Sequence, residues 1–369
     1  MGTSISFGKF FLPGPTEVDP AVLRAMDRAV IGHRTSDLSS LLAEIDPMLR
    51  RIFRTERPVY VSSSSATGFM EAGVRNGVRR RALALVNGAF SERFRDLVTA
   101  CGREVEVYDV EWGGAHDPEE VERRLRVGGF DSVTVVHSET SSGVLNPLRQ
   151  IADAVRSAEH RVGEEILLLV DGVTSVGGGL VESGEWALDW ILTGSQKALA
   201  LPPGLAFGSA SPRMLARAET LPGRGQYFDL LEFDRYWKKH QTPNTPAVHL
   251  LFALKTQMER IEAEGIEARA ARHQAMARRC WSWVESTGAA HGLSLFAPEG
   301  ARSLTVTAIS LPTDLRGTEI TAKLKRRGYT IGSGYGKLRD QTIRIGHMGD
   351  HTMEGLNQLL TELEEVLGE

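Results

Sequence analysis

The stretch Ile166-Leu167-Leu168-Leu169-Val170-Asp171-Gly172-Val173-Thr174-Ser175 decides the architecture. Five apolar residues in a row with no polar face, stopped by Asp-Gly, read as a strand buried on both sides. Comparable runs occupy 82–86, 105–110, 132–136, 190–193 and 205–208. Amphipathic stretches at 91–100, 118–126 and 148–158 separate several of them. Strand–helix alternation of this kind means an α/β fold, a mostly parallel sheet with helices on both faces.

Working outward, residues 1–20 form an N-terminal arm rich in Pro and Gly, and 21–260 hold the alternating pattern of a large domain. A long helical region, rich in Ala, Arg and Glu, spans 246–286. Apolar runs at 304–310 and 342–345, with helices near 318–327 and 353–367, make 261–369 a smaller α+β domain. A chain of 369 residues can bury such cores without staples.

Composition removes several function classes. Lys and Arg number 43 against 47 Asp and Glu, a formal charge of −4, so no bulk basic field points to nucleic acid. The short run Arg79 to Arg81 reads as a solvated helix end. No apolar stretch reaches the roughly 18 residues of a membrane span, and no signal-peptide pattern opens the chain. Met1-Gly2 with Ser6 fits the loose myristoylation pattern, but no polybasic second anchor follows. Cys101 and Cys280 are too few for a disulfide framework and read as reduced thiols. A cytoplasmic protein is expected.

Ligands of open α/β sheets bind at the carboxyl ends of the strands. There the sequence places Asn87 to Phe90, His137 to Thr140, Asp171 to Val173 and Gly194 to Lys197. Lys197, in TGSQKALALPPG, has the apolar surroundings that lower an amine's pKa and make it a nucleophile. Asp171 either caps the next turn or meets a cation. The run Ser62 to Gly68 supplies hydroxyls and helix-start amides suited to a phosphate, or merely caps a helix over 69–78.

Other signals carry less. The glycines from Gly332 to Gly336 precede no helix of a βαβ unit, so they do not make a dinucleotide loop. Those from Gly177 to Gly179 read as a turn. His347 and His351 straddle Met348-Gly349 without a zinc-protease glutamate, so a turn is read there and no metal is expected.

At these residues the chain resembles the class V aminotransferases, fold-type I pyridoxal-phosphate enzymes, in their alanine–glyoxylate/serine–pyruvate branch. The matching segments are LPGPTEVDPAVLRAM, GHRTSDL, SSSSATGFMEAGV, VNGAFSERF, HSETSSGVLNPL, LLLVDGVTSVGG, TGSQKALALPPG and IRIGHMG.

The resemblance implies pyridoxal 5'-phosphate as cofactor. Lys197 would hold it as a Schiff base and then move protons, while Asp171 would pair with the pyridinium nitrogen. Phe90 would stack on the ring, and Val173 would pack on the other face. Ser65, Ala66 and Thr67 would hold the phosphate beside Gln196, and Thr140 would lie near the ring hydroxyl. Arg344 would clamp the substrate α-carboxylate. Thr242 and Thr245 resemble the stretch that crosses to a partner's phosphate site, which implies a homodimer. Ala66 stands where the family has glycine, Phe90 where it has tryptophan, and Thr140 where it has serine.

The implied reaction moves the amino group of a small amino acid, alanine or serine, to a small 2-oxo acid, glyoxylate or pyruvate, by a ping-pong route. With one arginine evident for substrate, a short uncharged side chain is expected. A phosphonate- or phosphoserine-type transaminase, or a lyase, is the alternative. Cys280, inside a helical stretch, does not suit a desulfurase. An idle interaction subunit would have no need for the charge set of Lys197, Asp171 and Arg344.

Overall fold

The computed structural model describes residues 7–369; the Met1-Gly2 pattern lies outside the described residues. A seven-stranded sheet runs in the order Tyr60–Ser62, Ala206–Ala210, Trp190–Gly194, Leu167–Asp171, Ser132–Val136, Arg81–Val86, Glu104–Asp109. Ala206–Ala210 is antiparallel to both neighbours and all the other pairings are parallel. Because the antiparallel strand reverses direction twice across the sheet, Tyr60–Ser62 and Trp190–Gly194 point the same way. Six carboxyl ends therefore lie along one edge.

The strand Leu167–Asp171 is buried on both faces, as its composition requires. Leu168 and Val170 join a core with Leu49, Phe53, Val133 and Phe207 on one side. Leu167 and Leu169 join Phe69, Trp190 and Met214 on the other. Alternation along one strand thus feeds two separate cores. Trp190 is fully buried, and its Nε1 donates to the Phe69 carbonyl at 3.0 Å. It lies between Gly73 and Gly208, where a Cβ would come within 2.6 Å of Cδ1 and 2.7 Å of Cζ2.

Helices Ala89–Ala100, Pro118–Leu125 and Leu148–Val162 make the crossovers. The helix expected over 69–78 begins earlier, at Ala66, with Ser65 as N-cap. The helical region expected over 246–286 is broken at Gly265, φ +85°, into Val248–Glu264 and Ile266–Trp283. Helices Ser36–Phe53, Pro212–Thr220 and Leu230–Trp237 were not expected. Among the described residues no helix is long and apolar enough to cross a membrane.

A second sheet orders Phe10–Phe11, Thr330–Ser333, Thr342–Gly346, Val306–Ser310 and Ser294–Leu295. Only its first pairing is parallel: Phe10 sits opposite Thr330 and Phe11 opposite Ile331. The N-terminal arm is thereby stitched into the C-terminal sheet. Phe11, Cys280, Ile343, Ile345 and Leu359 share that sheet's core. Cys280 is buried, Cys101 half-buried, and neither is paired.

Candidate active site

The candidate side chains other than Arg344, Thr242 and Thr245 stand at or just beyond the ends of strands of the large sheet. Asp171 ends its strand, and Lys197 comes three residues after Trp190–Gly194. Phe90 stands in the first turn of Ala89–Ala100, beyond Arg81–Val86, and Thr140 lies beyond Ser132–Val136. Ser65, Ala66 and Thr67 open the helix that follows Tyr60–Ser62. Together with Val173, Gln196, Arg93 and Thr174, these residues line one cavity of about 190 Å³.

Asp171 is 3% exposed, and its Oδ1 accepts the Val173 N–H at 2.7 Å, the side chain's only hydrogen bond among the described residues. Burial pushes the carboxyl up to about 7, with the Val173 N–H and the Lys197 charge pulling it back. Such a group forms no ion pair among the described residues, and a protonated ring nitrogen would supply one. Lys197 is 8% exposed; burial, then the Arg344 charge, pushes its amine down to about 8. Its Nζ lies 6.0 Å from the Phe90 ring centre and donates to the Pro13 carbonyl.

At the other end of the cavity, Ser65 is an N-cap whose hydroxyl makes no cap hydrogen bond, and no acidic residue stands in the helix's first turn. Ser65, Ala66 and Thr67 thus bring the start of a helix and two hydroxyl-bearing residues to the cavity lining, the donors an anion site requires. Carboxyl, amine, aromatic and anion cradle therefore fit a flat, protonated ring bearing an aldehyde and a phosphate. Thr140 gives its hydroxyl to a 2.6 Å bond with that of Thr174.

Arg344 is at the rim, 9% exposed, in the strand Thr342–Gly346. Its Nε donates to Ser333 O at 3.0 Å and its Nη1 to Thr140 O at 3.1 Å; no carboxylate of the described residues pairs with it. Burial lowers its guanidinium to about 10. Thr242 and Thr245 are not brought to this cavity. They line a separate small pocket with Ser62, Ser63 and Tyr227, and Arg34 donates to Thr242 O at 2.6 Å.

Three features escaped sequence reasoning. Glu139, fully buried, takes the N–H groups of Ser91 (3.0 Å) and Ser141 (3.1 Å) and both their hydroxyls (3.1 and 2.6 Å), with the Phe90 N–H at 3.4 Å. It ties the turn bearing Phe90 to the turn bearing Thr140. A Cβ on Gly88 would collide with it. The second feature is an arginine besides Arg344 that the sequence reading did not single out. Arg93, one helical turn after Phe90, lines the cavity, forms no ion pair among the described residues, and reaches Tyr335 Oη at 3.4 Å. Spacing of three from Phe90 was the available signal. The third is the backbone of Pro13 against Lys197.

His347 and His351 are both buried, and no group of three metal-binding side chains occurs among the described residues. His351 stacks on Phe11 at 4.0 Å.

Residues 84–352 match the family model of the aminotransferases of class V. The chain belongs to that family. As a class V aminotransferase it is a pyridoxal-phosphate-dependent transaminase of fold type I. It is 38% identical to an uncharacterized aminotransferase of Methanocaldococcus jannaschii, over 92% of this chain and 87% of that one. It is 32% identical to the L-aspartate–glyoxylate aminotransferase of Paracoccus denitrificans, over 93% and 86%. The crystal structure of an alanine–glyoxylate aminotransferase from Nostoc superposes with a TM-score of 0.90 at 29% identity, covering 100% of this chain and 97% of that one.

Proposed function

We propose that this aminotransferase moves the amino group of a small amino acid to glyoxylate, in two half-reactions at one site. The observation that carries the reading is the shared cavity of Asp171 and Lys197 with Arg344 at its rim. The related proteins differ in donor, aspartate in one and alanine in the other, while both names carry glyoxylate.

Pyridoxal 5'-phosphate, when bound, supplies an aldehyde carbon and an electron-withdrawing ring. Asp171 would keep the proton on the ring nitrogen, Phe90 and Val173 would hold the ring between them, and Ser65, Ala66, Thr67 and Gln196 would anchor the phosphate. Arg344 receives the α-carboxylate and turns the α-hydrogen toward Lys197 Nζ. An amine near neutrality suits the transfer of that proton in both directions. Thr140, bonded to Thr174, steadies the wall behind the ring.

Thr242 and Thr245, lying away from Lys197, fit contacts to a second copy's phosphate, and we read the working form as a homodimer in the cytoplasm. Arg93 favours a second reading of the donor. A guanidinium in the cavity with no ion pair among the described residues suits a side-chain carboxylate, as in aspartate, rather than alanine or serine.

The test mixes purified yellow protein with each common amino acid and follows loss of the yellow band, then its return with glyoxylate. Lys197→Ala should lack the band. A wild type that stays colourless with excess cofactor defeats the reading, and a faster response to aspartate than to alanine or serine selects the second donor.

A further inference from the structure

We infer that the strap of residues 12–15 is the wall that positions the Lys197 amine, with the Pro13 carbonyl as its acceptor whenever it is free of cofactor. The inference rests on Lys197 being the cofactor lysine.

Four contacts converge on it. Lys197 Nζ donates to Pro13 O. Gly14 lies along the lysine stem, where a Cβ would come within 2.6 Å of Cε and 2.7 Å of Cδ. Thr16 fastens the strap to the lysine turn: its N–H donates to Gln196 O and its hydroxyl to Lys197 O, both at 2.9 Å. On its other side the strap rests on the second sheet. A Cβ on Gly346 would meet Leu12 C at 2.6 Å and Pro13 Cα at 2.8 Å, and one on Gly332 would meet Pro13 Cδ at 3.1 Å. The strand Phe10–Phe11 anchors the near end beside Thr330 and Ile331.

The physical need is clear from the side chain. A lysine stem has about 2 kcal/mol of rotamer freedom, and an amine released into a cavity would spend it away from the reacting carbon. A fixed carbonyl accepts from the amine in either protonation state and keeps it within reach. The same backbone touches the strands that carry Ser333 and Arg344, so amine and carboxylate clamp share one support.

The test uses the full chain with Gly14→Ala. Gly14 has φ +133°, so any L residue there also strains the backbone; Gly8→Ala, φ +97° with nothing within 4 Å of its Cβ, carries strain without collision. In cofactor-free protein, acetylation of Lys197 by acetic anhydride, read by mass spectrometry, should quicken about fivefold or more in Gly14→Ala and not in Gly8→Ala. On adding pyridoxal phosphate, the bound-cofactor band should appear about tenfold more slowly in Gly14→Ala alone. Thr16→Val, which keeps the backbone intact, should move acetylation in the same direction by about twofold. Wild-type behaviour of Gly14→Ala in both readouts, or of Thr16→Val should Gly14→Ala not fold, overturns the inference. Borohydride reduction that fails to mark Lys197 in yellow wild type overturns the parent reading instead.

Discussion

Asp171 and Lys197 reach one cavity from adjacent parallel strands, the carboxyl from the last residue of Leu167–Asp171 and the amine from the turn beyond Trp190–Gly194. Their environments move them toward each other: burial lifts the acid to about 7 and drops the amine to about 8. Two groups so placed are costly in an empty site and useful around a cationic ring.

Asp171→Asn keeps the shape and removes the charge. We expect kcat to fall about a hundredfold or more, with KM for the amino acid changing by less than about threefold. Steady-state kinetics at saturating cofactor measure this, and an unchanged kcat removes Asp171 from the ring nitrogen.

Arg344 has no carboxylate partner among the described residues, and with Nε and Nη1 held by the Ser333 and Thr140 carbonyls its Nη2 is left for substrate. Arg344→Lys should cost about tenfold to a hundredfold in kcat/KM for amino and oxo acids alike, since a lysine loses the paired geometry. Cofactor affinity, read by absorbance titration, should stay within about threefold. Equal kinetics would move the clamp elsewhere.

Glu139→Gln places an amide NH₂ among the N–H groups of Ser91 and Ser141. A loss of about 2–4 kcal/mol of unfolding free energy is expected, together with a shifted cofactor band as Phe90 moves. Urea denaturation and absorbance spectra decide it; a variant as stable as wild type would show the anchor is dispensable.

The cofactor-free fold should weaken in mild acid. Burial holds His137 and His351 near 4 and His347 near 3, and lowers His273 as well. The unfolded chain takes up these protons near the ordinary 6.5, so between about 6.5 and 4 it binds more than the folded one, and stability drops, as the pH is lowered, by up to about 1.4 kcal/mol per unit for each histidine. Asp171, raised in the fold, acts with the opposite sign below about 7 and offsets one of them. Urea midpoints at several pH values from 7.5 to 4.5 should therefore decline; a flat profile contradicts the burial argument.

Much of the large sheet was legible because its inner strands are buried on both faces, and the cavity edge followed from reading the residues just beyond each strand. The helix Ser36–Phe53 was not, although Leu38, Leu41, Leu42, Ile45, Leu49 and Ile52 keep helical spacing, because Pro47 interrupts the pattern. Lys197 and Asp171 announced themselves as charges in apolar settings. Glu139 and Arg93 did not, since one looks like any strand-end acid and the other like a surface helix residue until the fold packs them. The Pro13 carbonyl has no side-chain signature at all.

Because Phe10 and Phe11 pair with Thr330 and Ile331, that short strand can be seated only once a segment very distant from it along the chain has been made. Folding of the strap beside the lysine would then wait on this long-range pairing. Chains truncated before Thr330 would carry the charged pair yet leave the strap without its strand partner, so their capture of cofactor should lag behind that of the longer chain.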